Sequence, residues 1–133
     1  MTSGEMRREV VSGEGVPVPI GPYSAGVRAG DFVYVSGQPG VDPSTGDPAG
    51  PTLAEQARQA INNLEAVLTA AGSSLARVVN TTVLVADMSD FAVVNELFAE
   101  AFPTDPPARM TMQVPLPKGL LISIGCVALV GHD

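Results

Sequence analysis

Histidine and cysteine occur only once each in this chain, and that scarcity removes several kinds of chemistry at the outset. A single cysteine, Cys126, excludes an intramolecular disulfide, and its place in an apolar run suits a small buried hydrophobe better than a reactive thiol. One His and one Cys cannot assemble a structural zinc site, so no metal is expected. The lone histidine, His132, stands one residue from the end of the chain, where nothing would hold a catalytic base in place. Serine and cysteine nucleophiles therefore lack an activating partner. Neither a dinucleotide fingerprint nor a phosphate-binding loop is present. Basic residues are also few: seven Lys and Arg against fourteen Asp and Glu give a formal net charge of -7. Only Arg7 and Arg8 are neighbours, so no basic patch offsets that field and nucleic acid is not expected as a partner. The longest apolar stretch, residues 119–130, is broken by Ser123 and Gly125 and falls short of the roughly 18 residues a membrane helix needs. Residues 1–10 lack the apolar core of a signal peptide, and a cytoplasmic location with no membrane partner is expected.

What remains is enough to fold. The chain is 45% hydrophobic and 16% charged over 133 residues, which suits one α+β domain spanning 1–133. A short strand is expected at residues 9–11 and a β-branched, aromatic strand at 32–35, bounded by Gly30-Asp31 and Ser36-Gly37. Thr52 followed by Glu55 forms a capping box for a helix whose apolar positions are Ala57, Ile61, Leu64, Val67, Leu68 and Ala71, with Gly72 as its stop. Residues 78–85 read as a strand, with Val79, Thr81, Val83 and Val85 on one side and Asn80, Thr82 and Leu84 on the other. Phe91, Val94, Phe98 and Phe102 mark a second helix, capped by Asp87 or Ser89 and ended by Pro103. Residues 108–114 and 120–130 read as two more strands around the Pro115–Gly119 turn. The predicted order is β, β, β, α, β, α, β, β. Two helices cover only one face of such a sheet, so the other face is expected to bury itself against copies of the same chain.

Strand parity places Met110, Met112 and Val114 on one face of the 108–114 strand and Arg109, Thr111 and Gln113 on the other. A guanidinium fork beside a hydroxyl and an amide suits capture of a carboxylate; a solvated polar face would carry the same residues. Pro106-Pro107-Ala108 favours the site, because it fixes the backbone just before Arg109. Tyr23 lies in a Gly-Pro loop, where its hydroxyl contacts a ligand or its ring simply packs. Ser36 and Gly37 follow a strand directly, as a place for a ligand to approach the backbone or as an ordinary turn. Asn95 interrupts the second helix's apolar stripe, either as a buried amide pinning the helix or as a boundary residue.

These residues make the chain resemble the YjgF/RidA family over about residues 20–129. The carrying motifs are Ile20-Gly21-Pro22-Tyr23-Ser24, Val35-Ser36-Gly37-Gln38, Gln56-Ala57-Arg58-Gln59-Ala60 with Asn63-Leu64, Asp90-Phe91 with Val94-Asn95, and Pro107-Ala108-Arg109. The resemblance implies a chorismate-mutase-like homotrimer with a barrel of sheets inside, helices outside and three clefts between subunits. It further implies hydrolysis of reactive enamine and imine intermediates to 2-keto acids and ammonia, with no cofactor. Carried over by motif, Arg109 would pair with the substrate carboxylate, Tyr23 and Ser36 would line the cleft with Gly37, and Asn95 would support it. Thr111 stands where deaminating members commonly have a cysteine.

One departure bears on activity. Such members carry an acidic residue in the last strand, in an Ile-Glu-Ile-Glu-type pattern, that positions or activates the attacking water. Here the strand reads Ile122-Ser123-Ile124-Gly125, and Ser123 holds the acid's place. A serine orients water but accepts no proton at neutral pH, and losing general-base help typically costs a factor of about 100 to 10,000. The expectation is a weak or substrate-specialised deaminase, with Arg109 as anchor and a water held near Ser123. The alternative is a non-catalytic trimer that binds or senses a small carboxylate such as a keto acid. A ribonuclease role, a label attached to some relatives, is disfavoured by the charge of -7 and the lack of a basic, aromatic groove.

Overall fold

The computed structural model of the chain describes residues 7–131; His132 and most of the polar N-terminal segment lie outside the described residues. The elements follow in the order β1 (Arg8–Val11), β2 (Gly26–Ala29), β3 (Phe32–Pro39), α1 (Leu53–Ala70), β4 (Val78–Val85), α2 (Phe91–Ala101), β5 (Ala108–Gln113) and β6 (Ile122–Leu129). This is the predicted order, with β2 supplying the third strand before the first helix. Single 3₁₀ turns at Leu75–Arg77 and Met88–Asp90 precede β4 and α2.

Helix α1 begins as its sequence dictates, with Thr52 Oγ1 accepting the Glu55 N–H at 3.2 Å. The Glu55 carboxylate in turn accepts a hydrogen bond from the Thr52 hydroxyl at 2.7 Å, which closes the cap through side chains. At the far end Gly72 adopts φ +80°, and the Ser73 N–H reaches back to the Leu68 carbonyl at 2.8 Å in a Schellman stop. The six predicted apolar positions of α1 are all buried. In α2 the stripe shifts: Val94, Leu97 and Phe98 are buried, whereas Phe91 is 40% exposed beside Arg109. Asp87 caps the 3₁₀ turn ahead of this helix by accepting the Ser89 N–H, so the helix itself starts at Phe91.

The strands form one mixed six-stranded sheet ordered β1-β2-β3-β6-β4-β5. All neighbours are antiparallel except β4 and β5, which run parallel because α2 carries the chain back between them. The last strand thus inserts between β3 and β4. Both helices lie on one face, where Val33, Val35, Val83, Val85, Ile122, Ile124 and Ala128 meet Leu64, Val67, Leu68 and Val94. Cys126 belongs to that core, and burial pushes its thiol up to about 12.

Two expectations about β4 and α1 need adjustment. A register shift between Val78 and Asn80 turns Val79 outward, so the buried side of β4 is Val78, Thr81, Val83 and Val85. Helix α1 also buries polar groups along its sheet-facing side. Gln56 donates to the Gly50 and Gly119 carbonyls and accepts the Leu121 N–H at 2.7 Å, while Asn63 donates to the Pro39 and Val41 carbonyls. These amides satisfy backbone groups at the end of β3 and in the irregular segments ahead of α1 and β6, which is why they tolerate burial.

Among the described residues, no element covers the other face of the sheet. Val10, Phe32, Tyr34, Leu129, Met110 and Met112 stand exposed there, with Tyr34 at 50% and Met110 at 57%.

Candidate functional site

Arg109 sits on β5, the edge strand, opposite the buried Thr81 of β4. Thr81 donates its hydroxyl to the Ala108 carbonyl at 3.0 Å and so locks the strand entry that the two prolines already stiffen. From there the Arg109 side chain turns toward α2 and is half-buried. Its Nη2 donates to Asn95 Oδ1 at 2.6 Å, a short charge-assisted bond. The guanidinium carbon lies 5.3 Å from the Phe91 ring centre and 5.0 Å from that of Phe98. About two turns of helix therefore supply a polar clamp flanked by two aromatic faces at positions 91, 95 and 98. The remaining guanidinium donors have no partner among the described residues.

Asn95 is exposed, which decides against a buried amide pinning α2; its amide oxygen holds the arginine instead. Thr111 shares the Arg109 side of β5, half-buried. Gln113, the third member of that polar row, is engaged elsewhere: its Oε1 accepts the Met88 N–H at 2.7 Å and ties down the 3₁₀ turn. An open cavity of about 550 Å³ adjoins Arg109 and Asn95, walled by Phe98, Phe102, Pro106 and Pro107.

Ser123 is placed differently. Ile122 and Ile124 face the helices, so Ser123 and Gly125 face the uncovered side of the sheet. They line a second cavity, of about 360 Å³, with Gly37, Asn80, Thr82 and Tyr34. A Cβ on Gly37 would stand 2.7 Å from Ser123 Oγ, and one on Gly125 would stand 3.2 Å from the Val35 carbonyl, so small residues shape this floor. The floor exists because β3 bulges there, with Ser36 and Gly37 together spanning one register step between Val35 and Gln38. Ser36 donates its hydroxyl to the Ser24 carbonyl at 2.6 Å, and its N–H bonds the Ala25 carbonyl at 2.9 Å, which anchors the 21–24 loop to the bulge. Tyr23 at the tip of that loop is 46% exposed, and its hydroxyl accepts the Ile20 N–H at 3.3 Å.

The residues thus form two groups. Arg109, Asn95 and Thr111 meet on the helix side of the β5 edge; Ser123 and Gly37 meet on the opposite side of the sheet, with Ser36 and Tyr23 tied to the same bulge. Neither cavity is lined by a carboxylate or a histidine among the described residues. Reading the sequence missed four contributors. Phe91 and Phe98 pass for core residues by spacing alone, and only the approach of Arg109 gives them a second role. Asn80 and Thr82 carried a usable signal, since strand parity already sets them opposite the core.

Comparison with known proteins supplies an independent line. The family model described as endoribonuclease L-PSP matches residues 14–130. The human protein named 2-iminobutanoate/2-iminopropanoate deaminase is 46% identical over 125 residues, which is 93% of this chain and 91% of that protein. Among solved structures, an endoribonuclease L-PSP of Entamoeba histolytica, so titled as a putative one, superposes with a TM-score of 0.87 at 44% identity, over 92% of this chain and 99% of that one. The YjgF gene product of E. coli gives a TM-score of 0.83 at 39% identity, over 91% and 98% of the two chains.

Proposed function

This chain belongs to the YjgF/RidA family, and we propose that it hydrolyses reactive enamine and imine intermediates to 2-keto acids and ammonia, weakly or on a specialised substrate. The observation that carries the reading is the Arg109 clamp: a guanidinium fixed by Asn95 and two aromatic rings, half exposed, with donors to spare for a carboxylate. Relatives named as imine deaminases at this level of identity support it.

The reaction asks little of the protein. Water adds to the C=N carbon, its proton passes to nitrogen, and the resulting carbinolamine expels ammonia as the C=O bond forms. Arg109 holds the carboxylate and withdraws charge from the adjacent carbon, while hydroxyls such as Ser123 orient the water. Arg109 and Ser123 lie on opposite sides of one sheet, so a single chain does not offer both to one ligand. In our reading the working unit is a homotrimer in which the uncovered, apolar faces meet and the Arg109 group of one copy closes over the Ser123 cavity of the next. The partners are two further copies and a small carboxylate-bearing metabolite. Neither nucleic acid nor a membrane surface has a part in this reading: the net charge is -7, and among the described residues no helix is long and apolar enough to cross a membrane.

One observation favours a second reading, a non-catalytic binding module: among the described residues no carboxylate lines either cavity to act as general base. The two are separated by supplying imine from an amino-acid oxidase and trapping what remains with semicarbazide. Faster loss of trappable imine than in buffer, abolished by Arg109→Ala, is the outcome expected of the enzyme. Loss at the buffer rate, with a 2-keto acid still raising the melting temperature through Arg109, establishes the binding module instead. Scattering at working concentration tests the trimer, and a lone protomer overturns the composite site.

A further inference from the structure

Among the described residues, Arg109 is the only charged residue lining its cavity, and Asn95 the only other polar side chain there. Beyond them the walls change character. The Phe98 ring that faces the guanidinium also packs at 5.2 Å against Phe102, so an aromatic floor runs away from the charge. Pro106 and Pro107 form the opposing wall in the segment that leads into β5, and the exposed Ala99 of α2 leaves the space between them open. A volume of about 550 Å³ is in the range of ligand sites that bury most of a medium-sized molecule. An acid with a one-carbon side chain would leave most of it to water.

We propose that this cavity is a side-chain subsite, and that the acid gripped by Arg109 carries a branched or aromatic apolar side chain lying on Phe98 and Phe102 between Ala99 and the two prolines. The proposal rests on the role of Arg109 given above and adds to it the substrate class. The polarity order decides the orientation of the ligand: carboxylate at the Arg109–Asn95 end, hydrocarbon toward Phe102. Each methylene taken out of water is worth about a fourfold gain in affinity, so the preference is measurable even in an open cavity.

The test compares three stable keto acids as probes, 2-oxopropanoate, 4-methyl-2-oxopentanoate and 3-phenyl-2-oxopropanoate, by calorimetry on the full chain. The two larger acids are expected to bind at least about tenfold tighter than the smallest. Ala99→Phe, an exposed helix position that accepts the larger ring without disturbing the core, is expected to collapse that ratio toward one. Equal affinity of the native protein for all three acids, or a ratio that Ala99→Phe leaves intact, overturns the subsite while leaving Arg109 as the anchor. Binding that persists unchanged in Arg109→Ala overturns the anchor itself, and absence of binding by every probe overturns both.

Discussion

Gly37 and Ser123 face each other across the seam between β3 and β6, so closely that a methyl group on Gly37 would stand 2.7 Å from the serine hydroxyl oxygen. The contact lies on the uncovered face, where Ser123 can rotate away. Gly37→Ala is therefore expected to cost only about 1 kcal/mol in stability while displacing the Ser123 hydroxyl. Gly40→Ala is the contrasting case, because its Cβ would stand within 2.5 Å of Gln56 Cα on α1, where only backbone can yield. A loss of about 3 kcal/mol, or roughly 10 °C in melting temperature, is expected there. Thermal unfolding of the two variants side by side checks the ranking, and equal losses would contradict it.

The Asn95–Arg109 bond is expected to matter for function more than for folding, since Asn95 is exposed and Arg109 half-buried. Asn95→Ala should lower kcat/KM, or affinity in the binding reading, by about 10- to 100-fold with little change in melting temperature. Arg109→Lys keeps the charge but loses the planar fork and the contact with both rings, and should cost at least as much. A lysine variant with native affinity would show that only net charge is read.

Restoring an acid to the last strand tests the part assigned to Ser123. Ser123→Glu should raise imine hydrolysis by about tenfold or more, because a carboxylate accepts the proton that a serine hydroxyl does not. An unchanged rate in a folded variant counts against any water held at that position.

Acid should loosen the turn ahead of α2 in a defined window. The Asp87 carboxyl is held below its ordinary value by the backbone N–H of Ser89 first and its hydroxyl second. A depressed folded value means that the stabilisation is fully present above the unfolded value and is lost as pH falls through the lower, folded one. The cap should thus be intact at pH 5 and release only below about pH 4. Carboxyl NMR titration checks the midpoint, and a value at or above that of a free aspartate would contradict it.

Much of this was legible in one dimension. Helix α1 announced its cap at Thr52, its buried positions and its stop at Gly72, because all three depend on contacts within a few residues. Strand parity set Arg109 and Thr111 on one side of β5 and Met110 and Met112 on the other. The bulge at Val79 escaped, since an extra residue in a ladder shows only against its partner strand. Asn95 stayed open between a buried amide and a boundary residue for a related reason: helical spacing gives a residue's direction but not whether another element reaches it.

By itself the sequence determined the element order, the composition of each face and the isolation of one fork-bearing arginine at a stiffened strand entry, for these follow from local sterics and from periods of 2 and 3.6. That Arg109 and Ser123 stand on opposite sides of the sheet emerged from long-range strand pairing. That separation comes from register: Arg109 pairs with the buried Thr81 on the helix side, whereas Ser123 pairs with Leu84, of opposite parity on β4, in a sheet that sets β6 beside the distant β3. Local propensity fixes how a strand alternates; which strand lies beside it is settled by how the whole apolar surface is most completely buried.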